Sequence, residues 1–414
     1  MRRKIIIERA DRLHQIPPFE FSEFEKRYRF SKRREVEIID LTDISLPAEV
    51  SITLESYLQT VSSLPAKSPK ELEAELCQRI SEIFLKLFRV RLNPSKEILI
   101  VPGVRTALVN LMTSFLNLGD LCLILDPSPP YHRSGVMLSQ GKPEILPVFE
   151  RNDYLLNCES IDRGLSKNAK SIILCYPHNP SGATADLGFY REAVDYALLQ
   201  NIILINDSSF LCPPEGRRVL TLLQCRRAKS VAVEVHSFEY LFGLSGWETG
   251  FVVGNREVIA GLRETLLWAS PRLPAIFYHL GLSAVSDYEK FQSRLSSHLD
   301  RNHNLLTEAL TEMGWEVWRS HEVPFLWANP PFVVKKDPAG KSSLRFSRML
   351  LRRTGVKVLP GIVFGENGEG FVRISITPPE EKLTEALKRI KEHSHLWQKR
   401  YRPRRMKLKK ARSS

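Results

Sequence analysis

No stretch of the chain approaches the ~20 consecutive apolar residues that a spanning helix needs. The apolar run Ile5–Ile7 is far too short for a secretory signal. These two lacks leave a cytoplasmic location, with no membrane partner, as the expectation. The six cysteines (Cys77, Cys122, Cys158, Cys175, Cys212 and Cys225) contain no C-x-x-C pair. That argues against a zinc module and for buried reduced thiols. Internal repeats and long low-complexity stretches are also missing. Acid is missing after Glu392, where nine lysines and arginines fall between Lys399 and Arg412. Lysine is missing throughout the stretch between Lys229 and Lys290.

What remains is an ordinary globular composition, 43% hydrophobic and 26% charged, in a chain of 414 residues, enough for two domains. Short apolar runs read as buried strands at Glu97–Val101, Leu121–Leu125, Ser171–Cys175, Ile202–Ile205, Val231–Val235 and Gly250–Gly254. Helical spacing lies between several of them, at Ser68–Phe88, Arg105–Leu116, Leu187–Gln200 and Arg256–Ala269. This alternation predicts an α/β domain with a mostly parallel sheet covered by helices on both faces. From Phe291 the pattern changes. It predicts a helix over Phe291–Met313, a strand at Pro324–Ala328 and a helix over Ser342–Thr354. Strands at Val356–Leu359 and Gly370–Thr377 and a helix over Glu380–Trp397 complete a smaller α+β domain. The expected division is 1–45 as an arm and part of the small domain, and 46–290 as the large domain. Residues 291–397 form the small domain, and 398–414 a basic disordered tail.

Four segments carry a family resemblance. Ala10-Asp11-Arg12-Leu13 with Ile16-Pro17-Pro18-Phe19 is one, and Tyr176-Pro177-His178-Asn179-Pro180-Ser181-Gly182-Ala183 is the second. His236-Ser237 with Gly246-Trp247 and Gly250-Phe251 is the third. Val356–Gly365 followed by Gly370–Ser375 is the fourth. In this order they resemble class I/II aminotransferases, most closely the subgroup of LL-diaminopimelate and related aspartate aminotransferases. The resemblance implies the fold of type I pyridoxal-phosphate enzymes, with a seven-stranded, mostly parallel sheet. It also implies a homodimer and the cofactor pyridoxal phosphate.

That cofactor needs a lysine amine for its aldehyde, a carboxylate for its pyridine nitrogen, a donor for its 3-hydroxyl and a cationic cradle for its phosphate. An amino-acid substrate needs an arginine for its carboxylate. By resemblance, Asp207 stands at the pyridine nitrogen, Asn179 at the 3-hydroxyl, Ser237 at the phosphate and Arg373 at the substrate carboxylate. By residue type alone, Asp207 also suits a turn cap, Asn179 a turn residue and Arg373 an ordinary strand arginine. Ser237 is common enough to stand there by chance.

Other positions depart from the family. Tyr240 occupies the lysine position, preceded by Glu239 where the family has serine. Glu248 replaces the arginine that grips the phosphate. The phosphate loop reads Gly103-Val104-Arg105, with Val104 in place of its serine and Arg105 in place of its lysine. Phe210 replaces a tyrosine, and Leu41–Ser45 replaces the family's substrate loop. Leu64 stands for a tyrosine that reaches the partner subunit. Pro129 takes the place of a ring-stacking aromatic, with Tyr131 and His132 beside it. Tyrosine forms no imine and, with an ordinary pKa of ~10, is a poor base near neutrality.

The expectation is therefore a catalytically degenerate homologue that does not transaminate. It would hold pyridoxal phosphate without a covalent bond or not at all, and act as a homodimer, as partner of an active paralogue, or on an unknown small molecule. The alternative is an active enzyme on an amino acid with a non-covalently held cofactor. A nucleic-acid role would rest on the basic tail alone.

Overall fold

The computed structural model describes residues 7–16, 37–51, 67–270, 272–318, 320–331 and 342–395. Residues 17–19, Leu64 and the tail lie outside the described residues. The strands are β1 (Ile39–Asp40), β2 (Ile98–Val101), β3 (Leu121–Asp126), β4 (Lys142–Pro147), β5 (Ala169–Leu174), β6 (Ile203–Asp207) and β7 (Ala232–Ser237). They continue with β8 (Gly250–Gly254), β9 (Glu316–Trp318), β10 (Phe325–Asn329), β11 (Val356–Lys357), β12 (Leu359–Pro360) and β13 (Val372–Ser375).

The expected seven-stranded sheet is present, in the order β2-β8-β7-β6-β5-β3-β4. It is parallel except for β8, which runs against both neighbours. Successive residues feed opposite faces, as the two-residue period of a strand requires. Ile98 and Ile100 join the core that contains Phe84, Phe88 and Phe251, whereas Leu99 and Val101 join the core of Leu108, Leu111 and Ile259. Strand β4 is the one that sequence pattern does not reveal. Its proline-bearing segment Lys142–Pro147 pairs only with β3 and is half-exposed, which an edge position tolerates.

The helix Pro69–Phe88 starts where the Ser68-Pro69 signal puts it. Ser68 and Glu71 form a reciprocal cap over the first turn. The helix Glu380–Glu392 starts where the pattern puts it, and the expected end at Trp397 lies outside the described residues. The expected strand Val356–Leu359 is two short strands in two sheets. Strand β11 pairs with β1, and β12 joins the antiparallel sheet β12-β13-β10-β9. Ile39 and Leu41 share a core with Leu326, Phe346, Ile374 and Leu383. All six cysteines are buried and unpaired. Among the described residues no helix is long and apolar enough to cross a membrane.

One buried acid gives the fold a pH signature. Burial raises the Glu322 carboxyl to about 7, partly offset by Arg217. In the unfolded chain it ionises near 4.5. The folded state thus loses stability relative to the unfolded one as pH rises from 4.5 through 7. Glu322→Gln should be nearly neutral at pH 4.5 and stabilising by up to about 3 kcal/mol at pH 8.5. Thermal melts at the two pH values check this, and a pH-independent difference would contradict it.

Candidate active site

Parallel α/β sheets place ligands outside the carboxyl ends of their strands. A cleft of about 790 Å³ opens there, closed on the far side by β12 and β13. It is lined by Asn179 after β5, Ser209 and Phe210 after β6, and Ser237 at the end of β7. Val104, Arg105, Tyr131, Tyr240, Glu248 and Arg373 complete the set. Asp207, the last residue of β6, is fully buried behind Tyr131. The structure thus brings Val104, Arg105, Asn179, Asp207, Phe210, Ser237, Tyr240, Glu248 and Arg373, singled out from the sequence, to one place.

Asp207 is held by three donors. Tyr131 Oη donates to its Oδ2 at 2.8 Å, His132 Nε2 to the same oxygen at 2.9 Å, and the Ser209 amide to Oδ1 at 3.1 Å. Burial raises its pKa, but the hydrogen bond and charge of His132, with Ser209 and Tyr131, reverse this to a net lowering. Burial and the Asp207 charge push the Tyr131 hydroxyl well up, so it stays a neutral donor. Cys175 completes a group with His132 and Asp207 whose ligand atoms lie within 4.8 Å of one another. The His132 and Asp207 atoms are already at hydrogen-bond distance, and burial keeps the Cys175 thiol protonated. The group is a hydrogen-bonded cluster.

The turn after β5 owes its shape to His178. Its Nε2 donates to the Pro127 carbonyl at 3.0 Å, and its Nδ1 accepts from Ser181 Oγ at 2.6 Å. Burial lowers its pKa to about 3, so the ring is neutral. This fixes Asn179, whose Oδ1 accepts from Arg373 Nη1 at 3.1 Å. Arg373 also reaches the Thr42 carbonyl at 3.4 Å and faces the rings of Phe325 and Phe364 at 5.0 and 5.2 Å. Burial lowers its pKa to about 10, which leaves it charged at neutral pH. No carboxylate of a described residue pairs with it.

Tyr240 donates its hydroxyl to the Ile44 carbonyl at 3.1 Å. Burial, then Glu239 and Cys212, raise its pKa well above the ordinary phenol. Phe210 lies against its ring, 5.4 Å between centroids. Ser237 Oγ accepts from the Glu239 amide at 3.0 Å, so this hydroxyl caps a helix. Glu248 sits at the mouth with a left-handed backbone, φ 50°. A Cβ added at Gly103 would meet its carbonyl oxygen at 3.1 Å, so it abuts the start of the helix Val104–Phe115. Arg105 turns to the Tyr131 ring, 5.6 Å from its centroid.

These residues do not fit pyridoxal phosphate. The Tyr131 phenol lines the cleft and already donates to Asp207 Oδ2, while Asp207 itself does not line it. The lysine position carries a neutral, hydrogen-bonded phenol. The wall at the start of the helix Val104–Phe115 carries the acid Glu248 in place of a cation, with Arg105 beside it. Sequence reasoning identified the second and third misfits. It placed Tyr131 and His132 beside Pro129 without showing that both reach Asp207.

Residues 59–390 match the model of the aminotransferase class I and II family. The LL-diaminopimelate aminotransferase of Aquifex aeolicus is 31% identical over 392 residues, which is 93% of this chain and 99% of that protein. Its counterpart from Halothermothrix orenii is 30% identical over 390 residues, 93% of this chain and 98% of that one. Among solved structures, substrate-bound BacF from Bacillus subtilis superposes with a TM-score of 0.82 at 27% identity, covering 94% of this chain and 98% of that chain.

Proposed function

The chain belongs to the class I and II aminotransferase family, and from that premise we propose that it is a member that does not transaminate. Its cleft takes a small carboxylate reversibly, without pyridoxal phosphate. The observation that carries the reading is the Tyr131 hydroxyl on Asp207 at 2.8 Å. A phenol there supplies the donor that the carboxylate needs and fills the approach to it. The charged, buried Arg373, with only neutral acceptors among the described residues, supports the carboxylate half. An uncompensated cation in a low-dielectric wall favours a ligand anion, which it can hold with a forked pair of hydrogen bonds. The reading includes a homodimer, or a pairing with an active paralogue, as the assembly.

Absorbance spectroscopy tests it. Purified protein mixed with pyridoxal phosphate should show no retained chromophore after dialysis, with or without borohydride reduction. A retained chromophore that maps to the cleft refutes the proposal.

A further inference from the structure

The segment 320–323 leads into β10 and lies against two turns of the seven-stranded sheet. A Cβ added at Gly182, in the turn after β5, would meet Ser320 Cβ at 2.8 Å and Val323 Cγ2 at 3.2 Å. The Cys212 amide, in the loop after β6, donates to the Glu322 carbonyl at 2.8 Å. The helix Tyr288–Glu312 grips the same loop. Its Ser296 Oγ accepts from the Glu215 amide at 3.0 Å, and its Gln292 Nε2 donates to the Pro213 carbonyl at 3.4 Å. Asp300 of that helix ties the segment in, with His321 Nδ1 at 2.7 Å from its Oδ1. Both anchors of this seam adjoin the cleft. Gly182 shares a turn with Asn179, and Phe210, two residues before Cys212, faces Phe325 with 5.9 Å between ring centroids.

A second seam joins the two sheets and is built differently. Trp327, Leu359, Phe364 and Phe371 belong to the core that contains Phe84 and Phe251. Trp327 Nε1 donates to Tyr154 Oη at 3.1 Å, and Asp126 accepts from the amides of Glu366 and Asn367, each at 3.1 Å. Apolar burial dominates there, and it does not depend on protons. The 320–323 seam is ionisable. Arg217 reaches Glu322 electrostatically from the loop after β6, Cys212 from the same loop and Tyr190 from the helix Leu187–Gln200, and burial keeps the last two neutral. The Glu215 carboxylate of that loop is engaged by Ser293. Burial raises the Glu322 carboxyl to about 7 against the pull of Arg217. The contact of His321 with Asp300 is an ion pair only while the ring is protonated, and the His303 ring stacks on it at 4.7 Å. The two groups therefore act in one direction, each favouring the closed seam when protonated and ceasing to do so as pH rises. Glu322 supplies the larger share, because the His321–Asp300 pair is partly exposed.

We propose that this seam is a proton-gated clasp, closed while Glu322 and His321 hold their protons and released as they lose them, so that Phe210 parts from Phe325 and the cleft widens. The apolar seam serves as the pivot. The clasp goes beyond the reading of what the cleft holds, and it works with or without a ligand there.

Hydrogen exchange on the full chain, read by peptide mass spectrometry at pH 5.5 and 8.5, is the test. Rates are converted to protection factors, which removes the intrinsic acceleration of exchange with pH. In the wild type, peptides covering 208–217 and 320–326 should lose about ten- to thirtyfold in protection between the two pH values. That is the ratio implied by an acid that ionises near 7 when closed and near 4.5 when open. Strand β6 should keep its protection throughout, which marks the opening as local. Glu322→Gln should retain most of the protection that the wild type loses at pH 8.5. Adding His321→Phe should abolish the remaining difference between the two pH values. The wild-type comparison stands by itself if a variant does not fold. Four results would each overturn the clasp: protection at the seam that is independent of pH in the wild type, a fall in Glu322→Gln as large as the wild type's, a dependence that survives in the double variant, or a loss at β6 in step with the seam.

Discussion

Tyr240→Lys alone should leave the protein without measurable transamination of aspartate or glutamate. The new amine would enter a cleft whose other cofactor contacts remain reversed. At an effective dielectric of ~20 and ~4 Å, one unit charge pair is worth about 4 kcal/mol, so Glu248 in place of a cation separates the two sites by several decades of affinity. The Tyr131 hydrogen bond adds a further obstacle of about 1.5–3 kcal/mol, the usual worth of a hydrogen bond to a charged group. The expected order of recovery follows from those magnitudes. Glu248→Arg added to Tyr240→Lys should recover pyridoxal phosphate binding first. Tyr131→Ser added to both should tighten it by a further ten- to hundredfold, by about the same hydrogen-bond magnitude. Activity should come last, since Phe210 and Val104 still differ from the family pattern. Absorbance titration and a coupled transamination assay on the three variants check the order. Measurable turnover by the single lysine variant would mean that the cleft is far nearer a working cofactor site than its charges indicate.

Asp207→Ala should be the most damaging single change to stability within the cleft. It leaves the Tyr131 hydroxyl and His132 Nε2 buried without their acceptor, and the His132 Nδ1 already lacks a partner. Breaking a buried, hydrogen-bonded charge this way costs about 3–5 kcal/mol. In a chain of 414 residues that is a fall in melting temperature of about 3–6 °C. Tyr131→Phe should cost only about 1–2 kcal/mol, because His132 and the Ser209 amide still hold the carboxylate. The pH dependence has a definite sign. Asp207 is depressed in the folded state below its ordinary 3.8. Its contribution is therefore present above pH ~4 and lost as pH falls through the depressed value. Melts of the wild type and Asp207→Ala should differ fully at pH 7 and converge below pH 4. A gap that stays constant down to acid pH would show that Asp207 contributes through packing alone.

Several features of this protein are legible without coordinates. The missing lysine is a matter of composition, since none occurs between Lys229 and Lys290. The acid at Glu248 and the phenylalanine at Phe210 are read from position within ordered blocks. The alternation of buried strands and helices shows because β2, β5, β6, β7 and β8 are buried on both faces and therefore read as continuous apolar runs. Strand β4 escapes for the opposite reason. An edge strand with prolines has neither an apolar run nor clean alternation.

The tertiary structure decided what lies across the cleft. Tyr131 and His132 are consecutive, and nothing in their order says that both aim at one oxygen of Asp207. That convergence follows from the short helix Pro130–Leu138, which starts over the end of β6 and turns both side chains toward it. The split of Val356–Leu359 is similar. One apolar run serves two sheets because its halves meet different neighbours, β1 on one side and β13 on the other. The acidic mouth of the cleft is the clearest case. Asp43, Glu239 and Glu248 are ordinary residues in three unrelated segments of the sequence. Packing of the β1 loop against the turn after β7 makes them a single charged surface, because electrostatic coupling depends on distance in space and not along the chain.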